Sequence, residues 1–317
     1  MRIGLVGAGH LGKIHIQCLQ KTAFDFIGFY DPDTSICEGI SEKYGIKSFD
    51  TLESLLAEVD ALDVVSPTKF HHEIAKKAIV LGKHVFIEKP LTETLEQAEE
   101  LVALAAKHQV KVQVGHVERY NPAIKSIQNI DLKPKFIEAH RLAIFNPRGT
   151  DVSVVLDLMI HDIDIILSMV NSPIKAVYAN GVNIVSDTAD ICNARIEFEN
   201  GTVVNLTASR ISMKNMRKIR IFQSDAYLSL DFLDKNAQII KIEDTDDENS
   251  GLVLHTKQGL KRIIIDNPSI MQNNAILDEL VDFYEALTLD TPVTVNIEAG
   301  LKALKLAYLI EEKISHI

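Results

Sequence analysis

The chain has 317 residues, 46% of them apolar, which suffices for one large or two ordinary domains with a substantial core. Its 33 Lys and Arg against 44 Asp and Glu leave a formal charge of −11, which argues against nucleic acid as the main partner, since phosphate backbones demand a basic face. Cys18, Cys37 and Cys192 are an odd, scattered set without CxxC spacing, and no apolar run reaches transmembrane length, so a reducing, cytoplasmic setting without structural zinc is expected.

The first element expected is a strand over Ile3–Val6, entered directly from the N-terminus, with no cleaved leader expected. Gly7-Ala8-Gly9-His10-Leu11-Gly12 follows it and opens a helix that runs to Gln20. GxGxxG alone is a weak signal, but here it sits at a strand-to-helix junction, where the dinucleotide-binding fingerprint belongs. Gly7 permits the tight turn, Gly9 lets the backbone approach a pyrophosphate, and Gly12 lets helix and strand pack closely. The open N–H groups of the helix then face the phosphates. Phe26–Tyr30 reads as the second strand, and Asp31 closes it. An acid at that point accepts hydrogen bonds from ribose hydroxyls and repels a 2′-phosphate. Asp33 follows, and neither Arg nor Lys occurs between Lys21 and Lys43, so NAD is favoured and NADP is less expected.

Further strands are expected at Leu62–Ser66, His84–Ile87 and Lys111–Val114, alternating with helices over 52–58, 70–81 and 95–108. Short apolar strands separated by helices imply an α/β unit with a doubly wound parallel sheet. The character changes after Asn121-Pro122, so the chain divides into a cofactor domain over 1–118 and a second domain over 119–317. One helix is expected from Val152 to Val170. Strands then follow at 195–198 and 202–207, joined at Asn200-Gly201 by a type I′ hairpin signal. Strands at 218–222, 227–232, 239–242, 252–256 and 263–265 continue a largely antiparallel, open sheet of an α+β domain. Residues 243–251 read as a solvated acidic loop. Leu277, Leu280, Val281, Tyr284 and Leu287 mark an amphipathic helix, and a last helix spans 297–313.

Two further segments carry chemistry. Glu88-Lys89-Pro90 follows the fourth strand, and ligands of open α/β sheets bind beyond the carboxyl ends of strands. Lys89 is therefore either a group at the cofactor's reacting end or an exposed lysine of a strand-end loop. Asp157-Leu158-Met159-Ile160-His161 puts a carboxylate and an imidazole on one helix face among apolar neighbours. Such a pair serves proton transfer or satisfies only itself. A metal site is disfavoured, because two ligands at i, i+4 lack a third at suggestive spacing, Asp162 and Asp164 pointing elsewhere.

The glycine fingerprint, Asp31, Ser66-Pro67-Thr68 with His71, Glu88-Lys89-Pro90 and Asp157-x-x-x-His161 resemble, in the same order, the Gfo/Idh/MocA oxidoreductases. The resemblance runs over the whole chain. It implies an N-terminal Rossmann domain, a nicotinamide cofactor and a redox step at a secondary alcohol of a sugar or cyclitol. It also implies a catalytic set of Lys89, Asp157 and His161. Gly7, Gly9, His10, Leu11, Gly12, Asp31, Ser66, Pro67, Thr68, His71, Glu88 and Lys89 are then expected at the cofactor. The stretch Val114–Ala123, together with His140-Arg141-Leu142 and Asn146-Pro147-Arg148, resembles members acting on UDP-N-acetylglucosamine. That narrower resemblance implies Arg119, Tyr120, Asn121 and Arg148 at the substrate, beside Asp157 and His161. Arg141, Arg148, Arg210 and Lys218 are candidates for neutralising a diphosphate. Two other readings stay open: a free-sugar or myo-inositol dehydrogenase, and a non-catalytic NAD-sensing protein. The family's open sheet implies a homodimer or homotetramer.

Overall fold

In a computed structural model describing residues 1–146, 152–248, 251–257 and 259–316, the chain divides into two compact units. One comprises Met1–Tyr120 and Asn274–Lys305, the other Asn121–Asn273 and Leu306–Ile317.

The first unit is built on five parallel strands: β1 (Arg2–Val6), β2 (Asp25–Tyr30), β3 (Ala61–Val64), β4 (His84–Glu88) and β5 (Val112–Gly115), in the order β2-β1-β3-β4-β5. β3 and β5 are buried along their whole length, as strands covered by helices on both faces must be. The intervening helices start where the chain supplies caps. Asp33, Thr51 and Thr94 accept backbone N–H bonds at the starts of the helices Thr34–Tyr44, Leu52–Glu58 and Leu95–His108. In this order the chain reverses direction between β1 and β3, so the loops after these two strands frame the ligand crevice of the sheet.

The helix Ala275–Thr288 belongs to this unit, although the sequence reading assigned 119–317 to the second domain. Its Leu280, Phe283, Ala286 and Leu287 are buried with Phe24, Phe29 and Phe86, and Phe283 lies 6.0 Å from each of the Phe24 and Phe86 rings. Periodicity locates an apolar helix face but not the sheet that face covers.

Among its described residues the second unit carries ten strands: β6 (Phe136–Leu142), β7 (Ile174–Val182), β8 (Ile191–Phe198), β9 (Val203–Ser209), β10 (Met216–Phe222), β11 (Ala226–Asp231), β12 (Asn236–Asp244), β13 (Leu252–Thr256), β14 (Gly259–Asp266) and β15 (Ile314–His316). Their order is β13-β14-β12-β11-β10-β6-β9-β8-β7-β15. All neighbours are antiparallel except β6–β9 and β7–β15. The fold class is therefore as expected: a Rossmann α/β unit plus an α+β unit with a mostly antiparallel sheet.

Several local expectations change. β6 and β7 were not foreseen, because β6 buries a charged residue, Arg141, on its inward face and β7 places small residues, Ala179 and Gly181, beside its neighbours. The Asn200-Gly201 hairpin is not type I′: among the described residues Asn200 is not in the left-handed region, and only Gly201 takes a positive φ, +85°. Gly201 N–H donates to Phe198 O, so the turn centres on Glu199-Asn200 and a left-handed glycine closes it. The acidic stretch begins inside a strand rather than a loop. Glu243 and Asp244 end β12 and pair with Arg262 and Lys261 across it, at 2.8 and 2.6 Å. β10 buries Ile219 and Ile221 and exposes Phe222, one face in and one out. The three cysteines are free and buried. Among the described residues no helix is long and apolar enough to cross a membrane.

Candidate active site

The glycine turn of the first unit is shaped by close approach. A Cβ on Gly12 would lie 1.9 Å from Gly7 O, and one on Gly7, which takes φ +97°, would lie 2.6 Å from Ser66 N. A Cβ on Gly9 would meet nothing within 4 Å. Two glycines thus lock helix to strand, and the third leaves its backbone bare toward open space, as a pyrophosphate requires. The helix His10–Leu19 has no side-chain cap, so its first N–H groups remain available to an anion. A groove of about 820 Å³ runs from this turn along Gly7, Gly9, His10 and Leu11 to Asp31, Ser66 and Pro67. Asp31 Oδ2 accepts from Ala8 N (2.7 Å) and its Oδ1 from Asp33 N (2.9 Å). The carboxylate therefore braces the glycine turn and still has lone pairs for ribose hydroxyls. These residues fit a dinucleotide.

One neighbour of the groove was not visible in the local sequence. Lys77, from the helix His71–Val80, lines the groove near Asp31 and Asp33. Its ammonium pairs with Glu53 at 2.7 Å, so this cation of the groove is already balanced.

The segment Glu88-Lys89-Pro90 is held from three sides. Glu88 is buried, and its Oε2 accepts from Lys89 N (3.0 Å) while its Oε1 meets His15 Nε2 (3.1 Å). A Cβ on Gly115 would strike the Glu88 carboxyl at 2.9 Å, so glycine makes room for this carboxylate at the end of β5. His71 bridges the strand-end loops, with Nδ1 3.0 Å from Pro90 O and Nε2 2.8 Å from Ser66 O. Burial lowers the pKa of His71, while the two carbonyls oppose that shift. Lys89 itself is half-buried.

Behind Glu88 lies a group of ionisable residues that sequence reasoning missed. His15 Nδ1 meets Asp63 Oδ2 at 2.9 Å, and both residues are fully buried. Burial alone would lower the His15 pKa, but Asp63 and Glu88 together raise it well above the usual imidazole range. Glu88 is correspondingly held below the usual carboxylate range by His15 and the Lys89 amide, against its burial. Glu279, from the helix Ala275–Thr288, is fully buried, and among the described residues neither carboxyl oxygen has a hydrogen-bond partner. Its burial and the nearby Glu88 push its pKa well above the carboxylate range.

In the second unit, Asp157 lies in a π-helical turn, Val155–Met159, that leads into the helix Ile160–Met169 carrying His161. The expected helix over 152–170 is thus divided, and such bulges recur at functional sites. The four-residue spacing still keeps Asp157 and His161 on one side, and both are half-buried. Directly after His161, Asp162 is buried and takes a two-pronged bond from Arg141, with Nε at 3.0 Å and Nη2 at 2.7 Å. Arg141 is 2% exposed, so this guanidinium anchors the helix to β6 and is not a diphosphate ligand. Arg210 is likewise buried, 3.6 Å from Asp190, and donates to the Val152 and Ala189 carbonyls. Lys218 pairs with Asp231 at 3.0 Å.

The residues assigned to cofactor and substrate therefore separate. Gly7, Gly9, His10, Leu11, Asp31, Ser66 and Pro67 line the groove, and Gly12 closes its turn. Thr68 starts a 3-10 turn outside the lining, while His71 and Glu88 are buried supports of the Lys89 segment. Tyr120 is 5% exposed and donates its hydroxyl to Asp282 Oδ2 at 2.6 Å. Asn121 caps the short helix Pro122–Lys125 through Ala123 N and donates to Phe232 O. Both polar groups thus have partners within the framework. Arg119 is half-buried, and Arg148 lies outside the described residues.

Comparison with known proteins agrees with this geometry. Residues 1–116 match the oxidoreductase family with an NAD-binding Rossmann fold, and residues 137–229 match the Gfo/Idh/MocA C-terminal domain. The chain is 34% identical to UDP-N-acetylglucosamine 3-dehydrogenase of Acidithiobacillus ferrooxidans over 97% of its own length and 95% of the relative's. A solved structure of that enzyme superposes with a TM-score of 0.90 at 32% identity, covering 99% of this chain and 97% of the other. Scyllo-inositol dehydrogenase of Lactobacillus casei, solved with NAD(H) and scyllo-inositol, shares the fold at a TM-score of 0.78 and 23% identity, with 99% and 96% covered. The chain belongs to the Gfo/Idh/MocA family of oxidoreductases and carries that family's NAD-binding Rossmann fold.

Proposed function

We propose that this oxidoreductase removes a hydride from the 3-position of a UDP-linked N-acetylaminosugar. The supporting observation is the match of nearly the whole chain, at 34% identity, to a UDP-N-acetylglucosamine 3-dehydrogenase, with Glu88-Lys89-Pro90 and Asp157-x-x-x-His161 both present. NAD, held by the glycine turn and Asp31, supplies the hydride acceptor. His161 takes the hydroxyl proton as the carbon-bound hydrogen leaves with its electron pair. Lys89 donates a hydrogen bond to the reacting oxygen and stabilises the alkoxide charge that develops there. Asp157 orients His161. Of the cations considered for a diphosphate, Arg141, Arg210 and Lys218 are engaged by Asp162, Asp190 and Asp231. The protein acts in the cytoplasm as a homodimer or homotetramer.

The test is NAD reduction against UDP-N-acetylglucosamine, other UDP-sugars, free hexoses and inositols. Turnover of UDP-N-acetylglucosamine is expected, with Lys89→Ala lowering kcat by about 10²–10³-fold, as for loss of one oxyanion donor. Turnover of unphosphorylated polyols alone would replace the substrate and keep the chemistry. NAD binding without turnover of any alcohol would favour the sensor. A monomer in sedimentation at micromolar concentration would remove the oligomer.

A further inference from the structure

Glu279 poses a problem that neither the cofactor groove nor the catalytic set explains. It is fully buried, both carboxyl oxygens lack hydrogen-bond partners among the described residues, and one of them lies within 4.8 Å of a His15 ring nitrogen and a Glu88 carboxyl oxygen. A buried ionised carboxylate without partners is among the costliest arrangements in a protein. It becomes tolerable if a cation sits among the three residues, or if the carboxyl keeps its proton.

His15 decides between these. A metal at that point needs a lone pair from the His15 ring. Both ring nitrogens already face carboxylate oxygens, Asp63 Oδ2 at 2.9 Å and Glu88 Oε1 at 3.1 Å. A ring that donates on both sides is an imidazolium and has no lone pair to give. One imidazolium then faces three carboxyl groups, Asp63, Glu88 and Glu279, from β3, β4 and the helix Ala275–Thr288. Asp282, one turn along the same helix, adds another acid, already bound by Tyr120 and Thr294. The charge comes nearest to balance with Asp63 and Glu88 ionised and Glu279 neutral.

The consequence reaches the candidate catalytic lysine. The same Glu88 carboxylate that meets His15 accepts the Lys89 amide at 3.0 Å, and Gly115 leaves it just the space it occupies. We propose that neutral Glu279, together with the His15 imidazolium, is a positioning residue that fixes the Glu88 carboxylate and, through it, the backbone of Lys89. Ionising Glu279 sets a third buried negative charge against Glu88 and Asp63, loosens the Glu88–Lys89 bond and lowers turnover at high pH. The effect on turnover rests on the role of Lys89 proposed above.

Three readouts on the full-length protein separate the outcomes. The infrared difference between wild type and Glu279→Gln at neutral pH is expected to show the carbonyl band of one protonated carboxyl. Amide exchange of the segment 84–92 is expected to be unchanged in Glu279→Gln, a neutral isostere, and about tenfold faster in Glu279→Ala and His15→Ala, which remove the support. With the alcohol substrate, Glu279→Gln is expected to keep kcat within about threefold at neutral pH and to move the alkaline limb to higher pH, with KM unchanged. A displaced side chain can cost up to about 10² in rate, so Glu279→Ala should fall well below Glu279→Gln. Absence of the band, equal exchange in all variants, an unmoved alkaline limb, or one equivalent of divalent metal in the purified protein would each overturn the proposal. The band and the exchange are read without substrate, so failure of the proposed reaction leaves this test intact.

Discussion

Each unit buries charge beside a candidate catalytic side chain, and the two do it in opposite ways. In the second unit, next to His161, Asp162 meets the fork of Arg141, a cation that cannot lose its proton. Asp190 there is wrapped by the Ile184, Val185 and Ser186 amides and the Ser186 hydroxyl. Both are closed arrangements in which fixed donors meet the acid. In the first unit, next to Lys89, one imidazole serves Asp63 and Glu88 while Glu279 has no hydrogen-bond partner among the described residues. That arrangement balances by moving a proton. Fixed charge suits a frame, whereas movable protons suit a site whose charge changes during turnover.

The same substitution on both sides breaks the comparison open. Asp162→Asn leaves the Arg141 guanidinium buried against a neutral amide, and the guanidinium has no means of discharging. Breaking such a pair from one side costs about 3–5 kcal/mol. Urea denaturation should show that loss, and Arg141→Met combined with Asp162→Leu should recover most of it. Recovery in the double variant would confirm that the loss comes from a stranded charge and not from the missing contacts.

How much of this was legible in the sequence follows from distance along the chain. Gly7–Gly12 and Asp31 act within one strand–helix–strand passage, so their spacing alone marked the cofactor groove. Glu88-Lys89-Pro90 was legible as a strand-end segment, but its support was not. His15 meets partners 48 and 73 residues away, and Glu279 comes from the far end of the chain. Arg141 looked like a phosphate ligand because a lone arginine in a sequence looks solvated, and nothing local revealed Asp162, 21 residues on. The partner of Tyr120 was hidden for the same reason, since Asp282 lies 162 residues away. The π turn at Asp157 left the i, i+4 spacing intact and so left no trace in the pattern.

Asp190 sharpens the comparison by adding pH. Burial alone would raise its pKa, but the Ser186 hydroxyl and the amides of 184–186 outweigh that and hold it at about 2, against an ordinary value of 3.8. A depressed carboxylate stabilises the fold fully above its unfolded pKa and loses that contribution as pH falls toward the folded one. The shift corresponds to about 2 kcal/mol at neutral pH. Asp190→Asn should therefore be less stable than wild type by about that amount at pH 6. The gap should narrow between about pH 4 and pH 2. A gap constant over this range would mean that shape, and not charge, holds the turn.

The smallest effect is expected where the contrast between the units is sharpest. Asp63→Asn removes one of the two negative charges flanking His15, the change that Asp162→Asn makes to Arg141. The outcome differs because the imidazole is free to give up its proton, and the new amide oxygen still accepts from Nδ1. What is lost is the difference between a charged and a neutral hydrogen bond, about 1 kcal/mol. The pKa of His15 should fall, which NMR titration of the ring would follow directly. Equal losses for Asp63→Asn and Asp162→Asn would mean that His15 is as fixed in charge as Arg141, and the first unit would then have no movable proton at this point.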